Sequence, residues 1–240
     1  MKKLIFYLFC VFFTFFISGF QLNTSDNELF SFLLRKYVDP NGLVDYNGFF
    51  KDKNKLNDYL STLAESVPND NWTVNQEKSY WINVYNAFTI KLVVDNYPVK
   101  SILDINQGKP WDLSFIKLGE KLYTLNQIEN EILRKKFNDP RIHFAINCAS
   151  ISCPKLLPEA YNPSKLENQL ELMTAAFINN KDRNSVSTSV IKISKLFDWF
   201  KEDFSDSGGV VPFISKYIDM DISAQTKVIY QDYNWNINQQ

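Results

Sequence analysis

Glycine, cysteine and histidine are all scarce in this chain, whose 240 residues hold seven glycines, three cysteines and one histidine. With so few glycines there is no Gly-rich loop to cradle phosphates and no Gly-x-Ser-x-Gly turn, so neither nucleotide binding nor a serine elbow has support. One imidazole is too few for an ordinary zinc site: His143 and two cysteines make three ligands only if their spacings fold round a common point. No metal and no organic cofactor is expected. Clustered basic residues are missing as well. The densest group, Lys51-Asp52-Lys53-Asn54-Lys55, reads as a solvated helix face, which argues against a nucleic-acid partner.

Only one stretch is apolar enough to concern a membrane. Lys2 and Lys3 precede an apolar run from Leu4 to Ile17, and Ser18 and Gly19 follow it. A basic start, a short apolar region and a small-residue exit describe a secretory signal over residues 1–20. The expectation is an exported protein, periplasmic or extracellular, with no membrane span once the signal is removed. The alternative is an uncleaved anchor, for which Leu4 to Phe20 is close to the shortest run that crosses a bilayer. Cys10 lies inside that run. Without Lys2 and Lys3, 24 basic residues face 27 acidic ones, a mildly acidic balance.

Residues 21–240 suit one globular domain. The 45% hydrophobic and 22% charged residues are ordinary for a folded protein, and core packing accounts for most of the 15% aromatic content. Helical spacing of apolar residues predicts helices over 27–37, 49–63, 74–95 and 124–137, and a fifth starting at Asn162-Pro163. Thr73/Gln76 and Thr124/Gln127 are placed as capping boxes. Strands are expected at Arg141–Asn147, Ser187–Ile193 and Lys227–Tyr233. Helices outnumber strands and do not alternate with them, so the fold class is α+β: a helix-rich single domain with a small central β-sheet containing the Arg141–Asn147 strand.

The stretch HFAINCASISCP, residues 143–154, holds the one histidine and the two cysteines downstream of the apolar run. Together with YWINVYNAFTIKLV, YPVKSI, YTLNQIENEILR, DPRIHFAINCASISCPKL and YNWNIN, in that order, it makes the chain resemble the DUF547 family over roughly residues 75–235. The resemblance implies little about activity, because the family is named for lacking a defined function. Its members often carry glycine where this chain has Ala149, and histidine in the segment matching Ile128-Glu129-Asn130, where this chain has Asn130.

The residues themselves permit two readings. In the first, Cys148 is a nucleophile, His143 its base, and Asn147 orients the imidazole or donates to an oxyanion, as in a cysteine-dependent hydrolase or acyl transferase. Glu77, Asn83 and Asn86, three residues of one predicted helix, are candidates for a supporting member, with Arg141, Ser150, Ser152 and Cys153 nearby in sequence. The substrate would be an unidentified small molecule or peptide-like ester, amide or thioester. Five residues separate His143 from Cys148, which on a straight strand means about 16 Å and opposite faces. A direct pair therefore needs a sharp bend at Asn147 or Cys148. A His-before-Cys order resembles a permuted papain-like arrangement, by analogy only. In the second reading, Cys148 and Cys153 form a structural disulfide in a non-catalytic envelope or binding protein, and His143 is a core residue. Cys-x4-Cys is not the Cys-x-x-Cys spacing of thioredoxin-like redox motifs.

Overall fold

The structure is a computed structural model that describes residues 24–223 and 225–240. The expected signal segment and Cys10 lie outside the described residues. Helix α1 (Thr24–Tyr37) packs on α2 (Tyr46–Lys51) and α3 (Lys53–Glu65), which in turn pack against α4 (Val74–Asp95). The single helix expected over 49–63 is divided at Asp52. Its carboxylate bonds the side chains of Lys36, Tyr37 and Lys55, and its backbone N–H closes α2 on Gly48. Helix α4 opens on the Thr73/Gln76 capping box, with both reciprocal bonds formed. It is buried on nearly every side, as a helix at the centre of a domain must be.

Beyond α4 come a small hairpin of β1 (Ile116–Leu118) and β2 (Lys121–Tyr123), then a π-helix at Gln127–Leu133 that continues into α5 (Arg134–Phe137). Thr124 and Gln127 make the second reciprocal box. Further on are α6 (Leu166–Ile178), β3 (Ser185–Val186), β4 (Val190–Ser194), α7 (Leu196–Trp199), α8 (Val210–Ser215) and β5 (Lys227–Gln231). Strand β4 pairs antiparallel with β3 and parallel with β5. The fold is a helix-rich α+β domain with two small sheets. Among the described residues no helix is long and apolar enough to cross a membrane.

Two further expectations fail locally. Helix α6 begins at Leu166, because the Asn162 side chain first takes the backbone N–H and hydroxyl of Ser164 in a turn. More important for the site, Arg141–Asn147 is not a strand. Pro140–Phe144 is a 3-10 helix, with Pro140 in its first turn and Asp139 capping the Arg141 N–H at 3.1 Å. No neighbouring strand is needed, because Asn86 takes its place: its amide donates to the Ala145 carbonyl at 2.9 Å and accepts from the Asn147 N–H at 2.8 Å. One turn earlier on α4, Asn83 does the same for both backbone groups of Tyr161, at 2.9 and 2.8 Å.

Asp139 also anchors an ion network. It lies 2.8 Å from the buried Lys78 ammonium and 2.9 Å from Arg141, which reaches Glu167 at 2.7 Å. Burial alone would raise the Asp139 carboxyl, but hydrogen bonds from Arg141 and Lys78 outweigh it and bring it down to about 2. A depressed carboxylate stabilises the fold above its unfolded value near 4 and loses that contribution as pH falls towards 2. Asp139→Asn strands the Lys78 charge and is expected to cost about 3–5 kcal/mol at neutral pH. Denaturant melts between pH 7 and 2 would check this, with the gap between wild type and variant closing at the acid end.

Candidate functional site

A cavity of about 320 Å³ lies where the π-helix, α4, the 3-10 helix, the cysteine loop and the segment after β5 meet. Cys148, His143 and Glu129 all line it, and Trp111, Trp199, Tyr233 and Trp235 give it an aromatic wall. Those rings touch one another: Trp199 stacks on Trp235 at 5.5 Å, and Tyr233 lies 4.5 Å from Trp235. Most of the described aromatic residues pack in the core, as expected, and this small group lines the cavity.

The bend that a Cys148–His143 pairing requires is present. After the 3-10 helix the chain turns so sharply that Ala149 adopts φ 63°, in the left-handed region. That costs about 1 kcal/mol for alanine and little for glycine, which is the physical reason glycine suits this position. Asn147 holds the turn. Its carbonyl oxygen accepts the Ala149 N–H at 2.8 Å and its amide donates to the Pro154 carbonyl at 2.6 Å. Residues 234–238 then tie the loop from outside, through Ile151 N–H to Asn236 O at 2.8 Å and Asn238 N–H to Ala149 O at 3.1 Å.

Both cysteines are free, so the expected Cys148–Cys153 disulfide is not found. Their sulfurs lie 2.9 Å apart, in hydrogen-bond rather than covalent contact, and the Cys148 N–H donates to the Cys153 sulfur at 2.9 Å. The Cys153 thiol, the Ser150 hydroxyl at 3.2 Å and the Tyr233 hydroxyl at 3.4 Å surround the Cys148 sulfur. These groups favour a thiolate. The bond with Cys153, against the cost of burial and with help from Ser150 and Tyr233, holds Cys148 well below the ordinary thiol range. Burial and the neighbouring Cys148 sulfur push Cys153 well above it.

His143 is fixed from two directions. Its ring stacks on Phe200 at 4.0 Å, and Nε2 lies 2.7 Å from an Asp203 carboxylate oxygen. Asp203 is in turn gripped by Arg134, with Nε at 2.6 Å and Nη2 at 2.8 Å. Burial raises the Asp203 carboxyl, but the bonds from Arg134 and His143 outweigh it and keep the group ionised. An ionised acceptor at Nε2 places the ring proton there and leaves the lone pair on Nδ1, which is buried without a hydrogen-bond partner.

The remaining sequence candidates sit elsewhere. Asn147 holds the loop and makes no bond to His143; Asp203 occupies the orienting position instead. Asn83 and Asn86 support backbone, Arg141 belongs to the Asp139 network, and Glu77 bonds Lys136 and Trp81. Ser150 bonds Cys148 and Tyr233, while Ser152 accepts the Asn234 N–H at 2.9 Å. Glu129, Arg134, Asp203 and Tyr233 were not singled out. Each is an ordinary residue in an unremarkable local pattern, and only the fold places it beside the cavity.

Residues 69–178 match the family described as "Protein of unknown function, DUF547". No curated protein and no solved structure matches the chain. Tyr85, Glu129, His143 and Cys148 fall inside the matched segment, whereas Trp199, Asp203, Tyr233 and Trp235 fall after it.

The contrast between the two thiols is directly measurable. Iodoacetamide is expected to modify Cys148 first, with a half-maximal rate at least about one pH unit below that of the unfolded chain. Tyr233→Phe should shift that midpoint upwards. Peptide mapping of the alkylated protein across a pH series would read both effects.

Proposed function

Taking as premise that the chain belongs, through residues 69–178, to the DUF547 family of unknown function, we propose that it is a cysteine-dependent hydrolase or acyl transferase. One observation carries the reading: Cys148 and His143 line one cavity, and an ionised carboxylate, Asp203, holds the imidazole at 2.7 Å through Nε2. A thiol favoured as thiolate, an imidazole with its lone pair on Nδ1 and an orienting carboxylate are the parts that acyl transfer through a thioester uses.

Each part has its own task. Among the described residues no hydrogen bond joins Cys148 to His143 directly, so the thiolate depends on Cys153, Ser150 and Tyr233 and not on removal of its proton by the imidazole. The Cys148 sulfur attacks the carbonyl carbon of an ester, thioester or amide. A tetrahedral adduct forms, and its collapse breaks the bond to the leaving group, which takes a proton from solvent and departs as alcohol, thiol or amine. The product on the enzyme is a Cys148 thioester. His143 Nδ1 then takes the proton of water or of an acceptor hydroxyl or amine as it attacks, and the thiolate is released. Asp203 keeps the ring in the tautomer this step needs and stabilises the imidazolium it creates. The aromatic wall favours a substrate with a flat or apolar group beside the reacting carbonyl. Export from the cell, suggested by the N-terminal residues, would place that substrate outside the cytoplasm.

With p-nitrophenyl acetate as probe, a covalent acetyl group is expected on Cys148, and Cys148→Ala should carry none while melting like the wild type. Asp203→Asn should slow turnover on the order of 10²–10⁴-fold by freeing the imidazole from its tautomer. Mass spectrometry of the intact protein and steady-state release of p-nitrophenolate test these points. Turnover that survives complete alkylation of Cys148 would sink the proposal.

A further inference from the structure

A tetrahedral adduct on Cys148 needs hydrogen-bond donors for its oxygen, and cysteine and serine hydrolases commonly take one from the backbone beside the nucleophile. Here that backbone is already committed. The Cys148 N–H donates to the Cys153 sulfur at 2.9 Å, and the Ala149 N–H to the Asn147 side chain at 2.8 Å. The Ser150 backbone N–H is directed at the Cys148 sulfur itself. The donor therefore has to be a side chain of the cavity wall.

Glu129 stands in that wall, partly accessible from the cavity, on the π-helix that runs alongside α4. A π-helical turn is wider than an α-turn and is found disproportionately at functional sites. Tyr85, from α4, donates its hydroxyl to Glu129 Oε2 at 3.1 Å and so fixes the carboxyl plane. Tyr233, the other tyrosine of the wall, is bound to the Cys148 sulfur and to Ser150.

We infer that Glu129 is the oxyanion donor of this site, giving the O–H of a neutral carboxylic acid to the acyl carbonyl oxygen while the Cys148 sulfur bonds to the carbonyl carbon. The inference rests on the thiol reading above and adds a catalytic residue to it. As the sulfur–carbon bond forms, the carbonyl π pair moves to oxygen and the Glu129 hydrogen bond shortens onto the new charge. When the pair returns, the leaving group is expelled and the proton is still on Glu129. An ionised Glu129 would repel the same oxygen.

The surroundings favour the neutral form of the carboxyl. Burial pushes Glu129 up from the usual carboxylate range, outweighing the downward pull of His143, the Tyr85 bond and Arg134, while the Cys148 sulfur adds to the rise. Those groups come from the 3-10 helix, α4, α5 and the cysteine loop, and Asp112 and Tyr233 also line the cavity.

The test is the pH dependence of Cys148 acetylation by p-nitrophenyl acetate, followed by intact mass and by p-nitrophenolate release. In the wild type the rate should fall on the alkaline side as Glu129 ionises. Glu129→Gln, which keeps an N–H donor but cannot ionise, should react about tenfold more slowly at neutral pH and show no alkaline fall; Glu129→Ala should be about 10²–10³-fold slower. A role in folding alone would not remove the alkaline limb. An alkaline fall that persists in Glu129→Gln, or wild-type rates in Glu129→Ala, overturns the oxyanion role and leaves the thiol reading standing. No acetyl group on Cys148 in the wild type overturns both.

Discussion

A backbone segment that crosses a core without a neighbouring strand has to find partners for its N–H and C=O groups, and here two asparagine amides on α4 provide them. Asn83 and Asn86 each offer one donor and one acceptor, and each satisfies both ends of a short stretch of chain. Leaving such a buried group unpaired costs roughly 1–3 kcal/mol. Much of the site depends on the second of these amides. By gripping Ala145 and Asn147 it fixes where the 3-10 helix stops, and so where His143 ends and the cysteine loop begins.

The cavity gains its chemistry from unequal environments within a small volume. Two thiols five residues apart are pushed in opposite directions, because one receives hydrogen bonds and the other supplies one while remaining desolvated. Two carboxyls are separated in the same way. Asp203 is held ionised by Arg134 and His143, whereas Glu129, hydrogen-bonded by Tyr85 alone among the described residues, is driven towards its neutral form. No metal is needed to create these differences; burial and donor count suffice.

Local signals in the chain were legible wherever a few adjacent residues decide the outcome. Both capping boxes form, the buried helix over 74–95 is present, and the Val/Ile-rich stretches near 190 and 227 are strands. The compact apolar run at 141–147 misled because its periodicity is compatible with any buried backbone. Asp139-Pro140, a cap followed by a helix-starting proline, was the better guide. The scarcity of histidine and cysteine drew attention to residues 143–154, and His143, Cys148 and Cys153 do line one cavity. Asp203, Glu129 and Tyr233 had no such contrast, being common types whose importance comes from positions reached through contacts 44 to 85 residues apart.

The segment after β5 gives the thiol its place in time as well as in space. Tyr233 follows Cys148 by 85 residues, and the strand-like ties from Asn234, Asn236 and Asn238 come later still. During synthesis the histidine, its carboxylate and both sulfurs emerge first and wait. Only when residues 233–238 dock does the Cys148 sulfur gain its tyrosine and the cavity its Trp235 wall. A chain made only as far as β5 would thus carry the Cys148 thiol without the tyrosine and tryptophan that complete its surroundings.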